Sequence, residues 1–506
     1  MCVRHWELFF FPTPVDMSQQ TYQGGALYEL VARGVKDSYF YEDGAEAVNP
    51  FSWKYDKYPA VQTETRVVRP LNASSFGRTI LIDLDQYGDI LQTASIHIRL
   101  PSWIPQPYSQ SIKRGLIYPT DNSGMAYGYN SGIAYTLFSK IEILQDNIIL
   151  QEVAGDALYV LSRHKGSWNH HHYSDELAGI YDTADTLATY PSAYAVSMQR
   201  TADPDRTYII PLPFITDFPL VALRGQRFRV RLTLRDIKDL VVSTDLTQSK
   251  PKPWLVPSYT LKTSPADPGT SFKPLSLAEM GAPEITIEMV QTYLSNEDRA
   301  ALSKATYVIP YKRYFSHNTY SLGPLDYAPF DLDPGATPAV FRNYDGLYFV
   351  DRIITATRSS RDLQANRLTN YNNIDVSSGE SAGHYIAGLQ SAYGSTVRDT
   401  TWGPLVWNIL AQHAHETYAS AIATLIQNYG LSLGSKPSET IYPEKQSYNA
   451  PAGLNYSEAM EPNLRLILNN IQTDYNGQKG AALDILLEAT GFYAVENGRG
   501  GLLFGT

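Results

Sequence analysis

The segment that most resembles a catalytic motif is residues 430–434, near the carboxyl end, which read Gly-Leu-Ser-Leu-Gly. This matches the G-x-S-x-G elbow of hydrolases, which exposes its serine on a sharp turn between a strand and a following helix. Here a predicted helix precedes Ser432, and residues 436–438, Lys-Pro-Ser, follow it. Because that context is wrong, and 34 glycines make a chance match unsurprising, we predict no catalytic residue.

Two groups of histidines have the residue types of a metal site without its spacing. His170–His172 are consecutive, which is more typical of a solvated loop. His413, His415 and Glu416 suggest a zinc-binding helix. The H-E-x-x-H motif would then need a histidine at position 419, which is Ala419, and side chains two apart on a helix point to different faces. We predict no metal-binding residues.

The chain also lacks the features of a nucleotide or nucleic-acid binder. Neither G-x-x-x-x-G-K-[ST] nor a G-x-G-x-x-G after a predicted strand is present in the sequence. The 506 residues carry 41 Lys and Arg against 51 Asp and Glu, which gives a formal net charge of −10 without a basic stripe. We therefore predict no cofactor-binding residue, no cofactor and no direct contact with nucleic acid.

The composition favours a surface that is covered by partners. Charged residues make up 18% of the chain, below the usual share of about 25%. The 37 tyrosines suit protein interfaces, because Tyr offers rigid contact area with a polar tip, although a β-sheet protein also uses them in its core. Cys2 is the single cysteine, so stability must come from packing, as in a protein assembled in a reducing compartment.

The first residues predict neither a secretion signal nor a membrane span. No apolar run approaches the ~20 residues that cross a bilayer. Glu7 and Pro12 interrupt the short apolar stretch at the start, so we expect an extension ahead of Met17, which could itself be the true start. Asn72 and Asn455 begin formal glycosylation triplets, which a protein made outside the secretory pathway would not use.

Alternation of apolar and polar residues dominates the chain and predicts β-strands. In Phe228–Leu234 every second residue is apolar, while the others face water, so a charge change at Arg231 should be tolerated. The same alternation begins at Ile80 and Ile96, and two apolar runs around residues 145–147 predict a hairpin. Because the chain exceeds the size of one ordinary core, we predict two β-rich domains of the sandwich or barrel type.

Helical signals are few and local. Ser295 and Asp298 resemble a capping box and predict a short helix, and Trp402–Tyr429 carries helix-forming residues that end at Gly430. Residues 244–282 are rich in Ser, Thr and Pro, so regular elements are not expected there. Composition alone allows this segment to be either a linker between domains or a long surface loop.

Several segments, in the same order along the chain, resemble the major capsid proteins of nucleocytoplasmic large DNA viruses. The clearest is 24–40, GGALYELVARGVKDSYF, with a Gly-x-x-Asp-x-Tyr turn at Gly34, Asp37 and Tyr39. A second is 76–101, in which Gly88-Asp89 stands at the turn between two predicted strands. The other similar segments are 206–214, 220–236, 295–311, 448–468 and 487–506.

The resemblance implies an all-β fold of two consecutive eight-stranded antiparallel jelly rolls, a double jelly roll with short helical insertions. Residues 1–20 would then form an N-terminal extension. Residues 21–300 would form the first jelly roll, with 244–282 as a Pro-rich loop inside it. Residues 301–506 would form the second, with a helical insertion near 402–429.

The function that the resemblance implies is structural and not enzymatic: a major capsid protein whose pseudo-hexagonal homotrimers tile the icosahedral shell of a large double-stranded DNA virus. Its partners would be its own copies, neighbouring capsomers and minor capsid proteins, close to an inner membrane without insertion into it. It would be assembled in the host cytoplasm and reside in the virion capsid. Two alternatives stay open: a minor capsid or scaffold paralogue of the same fold, and a carbohydrate-binding or carbohydrate-active β-sandwich protein.

Overall fold

The alternation in the sequence becomes strand structure. In Phe228–Leu234 the four apolar side chains are buried and the three polar ones are half-buried, because successive residues of a strand point to opposite faces. The structure is a computed structural model. It describes residues 61–84, 86–106, 108, 119–164, 174–181, 192–213, 217–223, 225–245, 248–262, 268–322, 339–342, 349–371, 386–393, 396–397, 406, 424–428, 454–455, 462–468, 476 and 480–503.

The first half of the chain forms two four-stranded antiparallel sheets. Their principal described strands are β1 (Gln62–Val68), β2 (Thr79–Leu84), β3 (Ile90–Arg99), β4 (Phe138–Gln145), β5 (Ile148–Val153), β6 (Thr207–Pro211), β7 (Phe228–Leu234) and β8 (Glu284–Tyr293). The strand orders are β1-β8-β3-β6 and β2-β7-β4-β5. Shorter strands in the connections are Thr120–Asp121, Tyr127–Tyr129, Val241–Ser243, Tyr259–Leu261 and Thr270–Phe272.

The second half repeats this arrangement. Its principal described strands are β9 (Tyr307–Leu322), β10 (Ala339–Arg342), β11 (Phe349–Ser359), β12 (Ile386–Tyr393), β13 (Thr396–Val397), β14 (Thr424–Asn428), β15 (Pro462–Leu468) and β16 (Ala481–Glu496). Their orders, β9-β16-β11-β14 and β10-β15-β12-β13, are those of the first half with eight added to each number. The short strands Leu454–Asn455 and Arg499–Leu502 pair with β11 and β16.

This strand order, repeated twice, defines two jelly rolls. In a jelly roll eight antiparallel strands form two facing sheets, which is what each half of the chain builds from its described strands. No described strand of one half pairs with a described strand of the other. The predicted double jelly roll is therefore confirmed.

The core of the first jelly roll lies between its two sheets. Burying one aliphatic side chain in this core stabilises a protein by about 1.5–3 kcal/mol. The apolar cluster that forms the core continues into the second jelly roll through Tyr311, Tyr314, Ile354 and Tyr493. Side chains of the first jelly roll that are fully excluded from solvent include Ile80, Ile82, Ile96, Ile98, Val230, Leu232 and Ile287.

Three-residue 3-10 helices lie at Leu220–Ala222, Ile237–Asp239 and Pro253–Leu255, and the described α-helices are also short and lie in the connections. They are α1 (Ile133–Thr136), α2 (Gly155–His164), α3 (Ser192–Arg200), α4 (Leu277–Met280), α5 (Asn296–Leu302) and α6 (Ser360–Gln364). The capping predicted at Ser295 is confirmed, because its hydroxyl accepts from the backbone N–H of Asp298 (3.3 Å) and donates to that carboxylate (2.6 Å). Sequence analysis did not predict α2 or α3.

The Pro-rich segment 244–282 is more regular than the sequence predicts. It contains the strands Tyr259–Leu261 and Thr270–Phe272, which pair with each other, and the helix α4. The ring of Tyr259 stacks on Phe272 with centroids 5.7 Å apart, and both rings are buried. Packed aromatic side chains therefore stabilise strands here in spite of the prolines, and the expectation of no regular element is wrong.

The helix predicted for Trp402–Tyr429 is wrong at its carboxyl end. Thr424–Asn428 is the strand β14, which pairs with β11 from Arg352 to Ala356. Strand pairing with a neighbour in the sheet overrides the helical propensity of a short segment. Most of the rest of this predicted helix lies outside the described residues.

Candidate functional site

The two jelly rolls meet along one line, which we call the seam. The first jelly roll supplies it mainly from residues 145–159, which run from the end of β4 through β5 into α2. The hairpin predicted here is confirmed, and it turns at Asp146, whose φ of 53° is a left-handed conformation that Asp tolerates. One continuous stretch of chain thus contacts the second jelly roll at successive points.

In the middle of the seam, β5 and β9 lie side by side, each at the edge of its own sheet. The Tyr311 hydroxyl donates to the Leu150 carbonyl (3.4 Å), and Gln151 Nε2 donates to the Tyr314 carbonyl (3.1 Å). No backbone ladder joins these two strands where the structure describes them. Side chains therefore cover two sheet edges whose backbone groups would otherwise invite pairing with another chain.

One end of the seam, which we call the amide end, consists of Gln145, Gln226, Tyr493 and Gly500. Gln145 donates from Nε2 to the Gly500 carbonyl (2.8 Å) and accepts at Oε1 from the Tyr493 hydroxyl (3.0 Å). Gln226 donates to the same carbonyl (3.1 Å) and accepts from the Gly500 N–H (2.7 Å). Burial raises the pKa of Tyr493, so its hydroxyl remains protonated and able to donate.

Position 500 has room only for glycine, because side chains of both jelly rolls crowd it. A Cβ on Gly500 would lie 2.1 Å from the Tyr493 hydroxyl oxygen and 2.6 Å from Leu223 Cδ2 of the first jelly roll. A Cβ on the neighbouring Gly501 would meet nothing within 4 Å. The Tyr493 ring also packs against Phe218, with centroids 5.1 Å apart. The carboxyl-terminal hairpin of the second jelly roll is thereby held against the first.

The other end, which we call the ionic end, consists of Asp156, Arg235, Arg358 and Asp484. Asp156 Oδ2 accepts from Arg235 Nη2 and from Arg358 Nη1, both at 2.8 Å. Arg358, which is 4% exposed, also lies with Nη2 2.6 Å from Asp484 Oδ2. Burial alone would raise the pKa of Asp156, but the charges of Arg235 and Arg358 outweigh it and hold that pKa below its ordinary value. The charges at this end thus neutralise one another.

Further contacts fix Arg358 in place. Its guanidinium lies 5.2 Å from the centre of the Tyr371 ring, and Nη1 donates to the Leu368 carbonyl (3.0 Å). Tyr371 in turn stacks on Tyr159 of α2, with ring centroids 6.2 Å apart. Asn366 donates from Nδ2 to two backbone carbonyls of the first jelly roll, at 2.8 and 2.7 Å. Hydrogen bonds and ring contacts from both jelly rolls therefore surround the ionic end.

A second buried arginine on β11 provides a contrast. Arg352 pairs with Glu488, its register partner on β16, so this ion pair lies within one sheet of the second jelly roll. Arg358, six positions along the same strand, pairs with Asp484 of its own sheet and also with Asp156 across the seam. Two similar buried ions thus serve different purposes, since one supports a sheet and the other joins two domains.

The geometry of the seam suits it to holding domains together. Its buried carboxylate, Asp156, is occupied by two guanidinium groups, and its hydroxyls and amides bond to protein groups. In the part of the chain that the structure describes, no group of three or more His, Cys, Asp or Glu residues is placed to hold a metal ion. None of the helices described is both long and apolar enough to cross a membrane.

The residues weighed for catalysis or metal binding lie outside the described residues, so the prediction that they carry no chemistry stays a prediction. These residues are Ser432, His170–His172, His413, His415 and Glu416. Cys2 and Met17 also lie outside them. Of the residues at the two ends of the seam, sequence analysis singled out Gln145 alone, and only as part of a predicted turn.

Asn72, the first glycosylation candidate, uses its side-chain amide within the protein. Its Nδ2 donates to the Thr79 carbonyl (2.9 Å), and its Oδ1 accepts from the Leu81 N–H (2.9 Å). The side chain therefore pairs with β2 as a backbone residue would, and it fixes the connection between β1 and β2. The second candidate, Asn455, lies in a short strand that pairs with β11.

Comparison with known proteins identifies the fold. No family model matches the chain, and no curated protein matches it in sequence. Among solved structures it is similar to VP54 of PBCV-1, at 10% identity and a TM-score of 0.59, with 90% of this chain and 100% of that chain covered. It is also similar to the Faustovirus major capsid protein, at 11% identity and a TM-score of 0.56, with 97% and 96% covered. The chain has the double jelly-roll fold of viral major capsid proteins, as its sequence resemblance predicts.

Proposed function

We propose that the chain is a major capsid protein whose pseudo-hexagonal homotrimers tile the icosahedral shell of a large double-stranded DNA virus. The observation that carries the proposal is the strand order repeated in two jelly rolls that the seam holds side by side. Three copies of such a chain supply six similar units, and a cyclic arrangement closes with one repeated heterologous contact. The task is geometric, so it involves no turnover and no cofactor.

The domain limits belong to this proposal. We assign residues 1–20 to an extension, 21–300 to the first jelly roll and 301–506 to the second. In support, β8 ends at Tyr293, β9 begins at Tyr307, and the short helix α5 lies between them. A crossover at this point leaves eight principal described strands on each side.

The partners follow from the same role. They are other copies of the chain, neighbouring capsomers and minor capsid proteins, in a virion assembled in the host cytoplasm. The charged fraction of 18% supports a chain that covers much of its surface in an assembly. Contact with nucleic acid is not part of the proposal, and the inner side of the shell would lie near a membrane without entering it.

Native mass spectrometry at micromolar and nanomolar protein tests the proposal. We expect a trimer at both concentrations, because an obligate interface of this kind buries well over ~2,000 Å² in total and resists dilution. A monomer at both would contradict the facet-tiling role. The abundance of the chain in purified virions then separates a major capsid protein from a minor paralogue, and sugar binding by a monomer would favour the carbohydrate-binding class instead.

A further inference from the structure

The repeated strand order gives the two jelly rolls equivalent edges. In the first jelly roll, β1 ends one sheet and β5 ends the other; in the second, β9 and β13 stand at the same places. The seam joins the fifth-strand edge of the first jelly roll, β5, to the first-strand edge of the second, β9. Among the described strands, none pairs with the outer side of the other edge of each kind, namely β1 and β13.

The two first-strand edges differ in how well they are covered. Where β9 meets β5 in the seam, Tyr311 is 4% exposed and Tyr314 is 2% exposed, while Val308, before this contact, is 48% exposed. On the equivalent strand β1, Val67 is 58% exposed, and Val61, the residue before the strand begins, is 54% exposed. An edge strand with exposed apolar side chains is one that proteins normally cover.

The inner face of β1 already has polar partners within the chain. Glu64 accepts from Arg66 Nε (2.7 Å) and from the Tyr293 hydroxyl (2.8 Å), and the Arg66 guanidinium lies 4.0 Å from the centre of the Tyr87 ring. The alternation of the strand places Val67 on the opposite face. The exposed face of β1 therefore carries the β-branched residues Thr63, Thr65 and Val67.

Ring closure indicates what covers β1. In a ring of six jelly rolls with similar junctions, the fifth-strand edge of each unit faces the first-strand edge of the next. Within one chain this junction is β5 against β9, so between chains it is β13 against β1. We propose that β1 of one copy packs against the β13 edge of the next copy's second jelly roll. This inference rests on the proposed homotrimer.

The first test is the substitution Val67→Lys, with Leu255→Lys as the matched control. Lysine is chosen because Glu288 of β8 lies opposite Val67, so a new carboxylate there would destabilise the sheet itself. Leu255 is 68% exposed but lies in the segment 244–282, on neither edge. We expect Val67→Lys to raise the trimer dissociation constant at least ~10-fold, as loss of a central apolar contact does, with the circular dichroism spectrum of the folded chain unchanged. Leu255→Lys should dissociate as the wild type does.

The outcomes separate the inference from the function on which it rests. If the wild type is a trimer and the Val67→Lys variant dissociates at the same concentration, the β1 contact is contradicted while the trimer stands. If the wild type is a monomer at both concentrations, the proposed function fails and the contact fails with it.

Disulfide trapping provides a second test that does not depend on weakening the trimer. Cys2 is the only cysteine, so the Cys2→Ser variant is a background without thiols. In that background, chains with Val67→Cys are co-expressed with chains with Thr396→Cys or Val397→Cys, the two residues of β13, so that mixed trimers form, and oxidised glutathione is added. A cross-link between the two kinds of chain supports the contact, since a disulfide needs Cα atoms within about 7 Å. A Val67→Cys chain linked only to its own kind, or no link from either β13 position in an intact trimer, would overturn it.

Discussion

The two ends of the seam join the same jelly rolls by different physics. At the ionic end, Asp156 and Arg358 are removed from water, at a cost of several kcal/mol per ion that only close partners can offset. At the amide end, each neutral hydrogen bond contributes about 0.5–1.5 kcal/mol net. Tyr493 and Leu223 pack so closely around Gly500 that no side chain fits there. The ionic end should therefore be sensitive to the loss of a partner, and the amide end to added volume.

The largest expected effect is that of Arg358→Leu at the ionic end. The substitution removes the cation from Asp484 and leaves Asp156 with Arg235 alone. Removing one partner from a buried ion pair costs about 3–5 kcal/mol, because the remaining charge stays buried. Chemical denaturation of Arg358→Leu and of the wild type measures this loss.

Arg352→Leu is the control, since Arg352 lies on the same strand but pairs within its own sheet. It should also destabilise the protein, so the decisive measurement is the coupling to Asp156→Leu. The cost of Arg358→Leu should shrink in the Asp156→Leu background, whereas that of Arg352→Leu should add to it. Costs of Arg358→Leu and Asp156→Leu that add within ~0.5 kcal/mol would show that no coupling crosses the ionic end.

The sequence predicts the strands well because strand structure leaves a local pattern. The alternation in Phe228–Leu234 and the turn residues at 145–147 mark β7 and the β4–β5 hairpin directly. The seam leaves no such pattern. Asp156 and Arg358 are 202 positions apart, and only the packing of two complete jelly rolls brings them together. Gln151 directly follows the apolar run Ile148–Leu150 of β5. A polar side chain at this position could have indicated a buried hydrogen bond.

Arg231 shows the limit of the alternation pattern. Arg231 lies on the polar face of β7, as the pattern predicts. Its guanidinium, however, pairs with the buried carboxylate of Glu142 on β4, with Nη2 2.8 Å from Oε1. The tolerance predicted for Arg231→Asp does not follow, because this change would place a second carboxylate beside the first. Thr233, the next residue on the same face, bonds through its hydroxyl to Thr79 and is the better site for a tolerated change.

The second prediction concerns volume at the amide end. Gly500→Ala should destabilise the protein by about 1–3 kcal/mol, because the new methyl group would overlap the Tyr493 hydroxyl and the Leu223 side chain. Gly501→Ala is the matched control and should have almost no effect, since its Cβ would enter open space. Thermal unfolding of the two variants measures the difference, and equal midpoints would mean that the close approach at Gly500 is not stabilising the seam.

A smaller effect is expected when the amide end loses one hydrogen bond. Tyr493→Phe removes the donor to Gln145 Oε1 and should cost about 1 kcal/mol. Tyr307→Phe is the control, because the buried Tyr307 hydroxyl has no hydrogen-bond partner among the described residues. Its removal should be neutral or slightly stabilising. Should Tyr307→Phe prove as costly as Tyr493→Phe, the bond to Gln145 would not be the cause of the loss.

The smallest effect is a difference in acid sensitivity between the two ends. The folded pKa of Asp156 lies below its ordinary value of 3.8, so its contribution to stability is complete above that value and is lost as the pH falls through the folded pKa. Each unit of pKa lowering corresponds to about 1.4 kcal/mol. The free energy of unfolding of the wild type should therefore decrease as the pH falls below about 3.8.

The two ends are separated by measuring the same decrease in Arg358→Leu and Tyr493→Phe. Without Arg358 the pKa of Asp156 rises towards its ordinary value, so Arg358→Leu should lose less stability on acidification than the wild type. Tyr493→Phe should lose as much as the wild type, because the amide end has no group that titrates in this range. Burial would raise the pKa of Glu142, but its bonds to Arg231 and Lys140 lower that pKa. Glu142 titrates in all three proteins, so its contribution to the loss of stability cancels in the comparison. Parallel curves for Arg358→Leu and the wild type would mean that Arg235 alone sets the charge state of Asp156, and that Arg358 acts through Asp484 within the second jelly roll instead.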